Sequence, residues 1–121
     1  MRAFSLAAGC AALLVASAAF AQGGPMSVGL PSAPADLSMH CAAAVSAELY
    51  LVEEEDRETG FDKPELAGAM EAWVKDAAAK KGLSVAAMTS DKGFLAVTED
   101  MTWKDAIRTA QVRWCLARTP R

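Results

Sequence analysis

The sequence predicts an all-α fold: a small three- or four-helix domain with one disulfide, preceded by a cleaved signal peptide and a Gly/Pro-rich leader. Three observations predict it. Apolar side chains recur at the helical period of about 3.6 residues in several segments. Capping signatures bracket those segments. Cys41 and Cys115 stand near the two ends of the periodic region.

Met1 and Arg2 are followed by an uncharged apolar run from Ala3 to Phe20, and Ala19-Phe20-Ala21 precedes Gln22. A cationic start, an apolar centre and an A-x-A site describe a secretory signal, which assigns residues 1–21 to it and starts the mature chain at Gln22. A membrane anchor needs about 20 strongly apolar residues, and Ser5, Gly9, Ser17 and many alanines dilute this run. Leu6 to Cys10 faintly resembles a lipoprotein processing site, but the apolar stretch continues past Cys10, so Cys10 is expected to leave with the signal. No other run approaches a membrane span.

Twelve Lys and Arg against 15 Asp and Glu give a formal net charge of −3, which argues against nucleic acid as a partner. In an exported chain the remaining pair, Cys41 and Cys115, reads as a disulfide. A zinc site lacks ligands, because His40 is the one histidine.

Residues 22–35 hold Gly23, Gly24, Pro25, Gly29, Pro31 and Pro34 and no charge, the composition of a flexible leader to a helical domain over 36–121. Asp36 is placed to cap a first helix reaching about Glu55, with Leu37, Cys41, Val45, Leu49 and Val52 on one buried face. Asp62 as N-cap, Glu65 three residues on, and a staple of Phe61 with Leu66 start a second helix, whose face is Leu66, Met70, Trp73 and Ala77. Lys80, Lys81 and Gly82 end it. Ser84 caps a short helix through Met88, and Asp91-Lys92-Gly93 marks a turn. Phe94 to Val97 is too short to assign by period, which leaves open a helical turn or an extended plug. Thr102 is read as the N-cap of the last helix, with Trp103, Ile107, Ala110 and Trp114 at helical spacing and Val112, Cys115 and Leu116 widening the stripe.

A bridge between Cys41 and Cys115 makes the first and last helices antiparallel neighbours. Facing residues then share the sum set by that pair, which brings Glu53 opposite Trp103 and Glu54 opposite Thr102. The acidic end of the first helix is thereby expected to flank the positive N-terminal end of the last.

Catalytic chemistry has little to stand on: one histidine, no C-x-x-C, no H-E-x-x-H and no phosphate-cradling glycine loop. Met39, His40 and Cys41 suggest a copper site, but adjacent helical residues point about 100° apart and the cysteine is better used in the disulfide. Glu53, Glu54, Glu55 and Asp56 lack the alternating ligands of a calcium loop and read as a solvated helix end. Lys104, Arg108, Arg113 and Arg118 make the last helix basic, so these eight residues form a candidate charged interface. Trp73, Trp103 and Trp114 serve as core residues, or as an interface anchor wherever one is exposed.

The expected function is a non-enzymatic periplasmic or secreted interaction module that binds and regulates another envelope protein, with no cofactor, catalytic residue or metal ligand. The runner-up is an acid-activated periplasmic chaperone, a class that shares this size and layout without a matched motif. A small envelope enzyme or metal-binding protein comes third.

Overall fold

Alanine is the best helix former and the smallest side chain that keeps a helix regular, and the stretch Cys41 to Val45 carries three in a row. That stretch lies in α1 (Pro34–Glu54), the central element of a computed structural model that describes residues 23–121. The predicted signal peptide, with Cys10, lies outside the described residues. Around α1 pack α2 (Lys63–Lys81), α4 (Lys92–Thr102) and α5 (Asp105–Ala117), while the short α3 (Val85–Thr89) lies against α2 and α4. The described residues contain five α-helices and no strand.

The predicted single apolar face of α1 holds only in part. Cys41, Val45 and Leu49 are buried as expected, but so are Ala42, Ala43, Ala44, Ala47 and Leu51. A helix that is apolar all round is a core helix, and the alanines let three neighbours approach it from different sides. The helix starts at Pro34 in the first turn, where proline's missing N–H costs no hydrogen bond. Ala33 occupies the N-cap position, and Asp36 lies inside the first turn instead of capping it.

Helix α2 follows its sequence signals closely. Asp62 accepts from the Glu65 amide, and Gly82 takes the left-handed C-cap conformation at φ 69°. Ser84 caps α3 through the Ala87 amide. The segment left open between turn and plug is helical: Asp91 accepts from the Phe94 amide and begins α4, which runs through Val97 to Thr102. This added helix moves the start of the last one. Thr102 closes α4, Trp103 is its C-cap residue, and α5 begins at Asp105.

The disulfide joins Cys41 to Cys115 with Cα atoms 5.6 Å apart, and both cysteines are fully buried. The indole of Trp73 donates to the Cys115 carbonyl at 3.2 Å, pinning α2 to the same point. Part of the stretch expected to be a flexible leader is packed. Pro25–Val28 form a 3-10 turn against α5, Leu30 is buried, and the Gln111 amide donates to the Val28 carbonyl at 3.2 Å. The Trp114 indole donates to the Gly23 carbonyl at 3.3 Å. Gln111 and Trp114 were in the chain all along, but nothing local in a Gly/Pro stretch announces such distant partners.

Candidate functional site

The antiparallel register set by the disulfide brings one further pair together, Glu48 of α1 and Arg108 of α5. The Arg108 Nε donates to Glu48 Oε1 at 2.8 Å, with the two side chains 3% and 0% exposed. A buried charge needs a partner and hydrogen bonds. Arg108 supplies more of both: its Nη1 donates to the carbonyls of Met101 at 3.0 Å and Thr102 at 3.2 Å, and lies 2.9 Å from Asp105 Oδ1. The guanidinium thus sits at the negative C-terminal end of α4, on carbonyls of its last turn. Glu48 Oε2 has no hydrogen-bond partner among the described residues.

This buried pair fixes the corner between α4 and α5, and the corner carries Trp103. Its amide donates to the Asp100 carbonyl at 3.3 Å, so the backbone is held while the indole is 76% exposed. Ile107, on the first turn of α5, is 46% exposed. The predicted stripe of the last helix therefore holds in part: Trp114, Val112 and Cys115 are buried, but Trp103 and Ile107 are not. Arg108 and Gln111 take the inward places beside them. Of the three indoles, Trp73 and Trp114 are buried and Trp103 is not.

The charged candidates are distributed differently from expectation. Lys104 pairs across the corner with Asp100 of α4 at 2.9 Å. Arg113 lies over the Phe61 ring at 5.9 Å and Arg118 over the Trp114 ring at 4.2 Å. None of these cations, nor Arg108, pairs with Glu53, Glu54, Glu55 or Asp56. Those four acids are exposed, and Arg57 reaches Glu55 at 3.9 Å and Asp105 at 3.3 Å. Hydrogen bonding and charge from Arg108, helped by Arg57, hold the Asp105 carboxyl below the usual carboxylate range. The Arg57 to Asp105 contact brings the acidic segment to the start of α5, two residues from Trp103.

A second polar cluster ties the start of α1 to the end of α2. Ser38 donates to Asp76 Oδ2, and Lys80 donates to Asp76 at 2.6 Å and to Ser38 Oγ at 3.3 Å. Burial pushes the Asp76 carboxyl up, but hydrogen bonds from Lys80 and Ser38 and the Lys80 charge outweigh it, and the net shift is downward. A serine beside a lysine resembles a nucleophile with its base. Ser38, however, is 1% exposed within a helix and bonds Pro34 and Asp76, an arrangement that fastens two helices.

His40 is half-buried rather than fully at the surface. Burial lowers its pKa, with Asp36 opposing and Lys81 adding to the drop. No group of three or more His, Cys, Asp or Glu among the described residues is arranged to hold a metal ion. No helix among them is long and apolar enough to cross a membrane.

Fold and corner together define a class, a disulfide-tied helical domain that presents one exposed indole on a fixed helix–helix corner. Comparison with protein-family models, curated proteins and solved structures finds no match.

Proposed function

We propose that the protein is a non-enzymatic, periplasmic or secreted interaction module that binds another envelope protein and regulates it, using the α4–α5 corner as its contact. One observation carries the reading. Trp103 is the most exposed large apolar side chain of the described residues, on backbone that buried hydrogen bonds hold in place. Tryptophan is enriched at binding hot spots, and a fixed presentation removes part of the ordering cost of association. The Cys41 to Cys115 disulfide accords with an oxidising compartment.

The test uses the oxidised protein as bait in an envelope extract of its native cell, quantified by mass spectrometry. Wild type and Leu95→Ala, which truncates a different exposed side chain, are expected to retain a common captured protein. Trp103→Ala is expected to lose it at least about tenfold, the loss that a modest hot spot of about 1.4 kcal/mol produces. Equal capture by all three baits removes the corner from the function.

A further inference from the structure

We propose that the partner meets the α4–α5 corner with a cationic segment, rich in Lys and Arg and carrying an aliphatic or aromatic side chain that packs on Trp103. This rests on reading the corner as the interface and adds the chemistry of what binds there. The argument is one of unbalanced charge beside an exposed indole. Glu53, Glu54, Asp56 and Glu58 are exposed and have no ion-pair partner among the described residues, and the segment's own cation, Arg57, is shared between Glu55 and Asp105.

The basic residues of α5 do not neutralise it. Arg108 is buried on Glu48, Lys104 is held by Asp100, and Arg113 and Arg118 lie over aromatic rings of their own chain. The Arg57 to Asp105 ion pair brings this segment to the start of α5, two residues along the chain from Trp103. Acidic groups then lie close to the corner that presents the indole, where an incoming Lys or Arg gains attraction and also a cation–π contact with the Trp103 face. The same field repels an acidic protein or an anionic membrane.

The test is selection of a random 12-residue peptide display library on the full oxidised protein, followed by affinity measurements on the enriched peptides as synthetic probes. Enriched sequences are expected to be strongly cationic with at least one large apolar residue. Their binding is expected to shift Trp103 emission to shorter wavelength and to weaken about tenfold between low and physiological salt. Trp103→Ala is expected to weaken them at least about tenfold, with an unchanged melting curve showing that it folds. Neutralisation by Glu53→Gln, Glu54→Gln and Asp56→Asn together is expected to flatten the salt dependence while leaving the emission shift. Asparagine suits position 56, where φ is +51°.

Neutral or acidic winners, no enrichment, equal binding to Trp103→Ala, or salt dependence unaffected by the triple variant would each overturn the cationic partner. If the envelope extract still yields a protein whose capture depends on Trp103, the interface reading stands and the partner's chemistry alone falls. If capture is indifferent to Trp103, the interface reading falls as well.

Discussion

Glu48 and Arg108 show how a single buried pair organises a surface it never reaches. Removing one partner of a buried ion pair leaves the other charge without compensation and costs about 3 to 5 kcal/mol, whereas replacing both by apolar groups of similar volume is often close to neutral. Glu48→Gln, which keeps an acceptor for Arg108, is therefore expected at the lower end, about 3 kcal/mol, by urea denaturation at neutral pH. Glu48→Met with Arg108→Met is expected to recover most of that. A loss below about 0.5 kcal/mol in the single variant means the pair does not support the core. The same variant bears on the acid-activated chaperone. If loss of the Glu48–Arg108 pair is the trigger, Glu48→Gln suppresses the aggregation of unrelated clients at pH 7 as wild type does near pH 3. A variant inactive at both pH values, beside an acid-active wild type, places the trigger elsewhere.

At the scale of elements, the parts legible in the sequence are those whose partners are close along the chain. Asp62, Glu65 and Gly82 bound α2 where capping chemistry places them, because an N-cap bond spans three residues and a glycine C-cap is decided by its own φ. Asp91 uses the same chemistry, but Gly93 two residues later gives the stretch the look of a turn. Capping residues are worth about 1 kcal/mol, so Asp91→Ala is expected to lower stability by about that amount, with amide exchange in α4 rising more than in α2. Uniform exchange across both helices, or no change in either, contradicts a capping role. The exchange of Trp103 and Ile107 for Arg108 and Gln111 on the buried side has a different cause. Arg108 is polar and reads as solvent-facing until Glu48, sixty residues away, takes up its charge. Trp103 and Ile107 read as core for the complementary reason, since apolar spacing alone does not distinguish a buried stripe from an exposed one.

For the whole molecule, the disulfide and the antiparallel pairing of α1 with α5 followed from cysteine positions and a constant register sum. That sum predicts Glu53 opposite Trp103 and Glu54 opposite Thr102, but α5 begins at Asp105 and the paired register stops short of both. The charge imbalance depends on where four separate cations bend. A crosslink between residues 74 apart constrains the unfolded chain by about 4 kcal/mol in the chain-entropy model, and measured values commonly fall at about 2 to 4. Cys115→Ser is expected to lower the melting temperature by more than about 10 °C, given roughly 4 to 8 °C per kcal/mol for a domain of this size. Reduction of the wild type is expected to match it. An unchanged melting temperature in both shows that the crosslink adds nothing.

The burial of α1 on several sides also has a meaning in time. Its covering elements all follow it in the chain: Arg108 comes sixty residues after Glu48, and Cys115 comes 74 after Cys41. While the chain is being made, α1 meets most of its cover in α2, the next helix, and the last of it only when α5 emerges. A short isolated helix is marginal in water, and long-range contacts return no free energy until their loops close. The buried pair and the disulfide are therefore expected to form only after synthesis has passed Cys115, so that a growing chain packs α1 on α2 first and closes its core last, in whichever compartment joins the two cysteines.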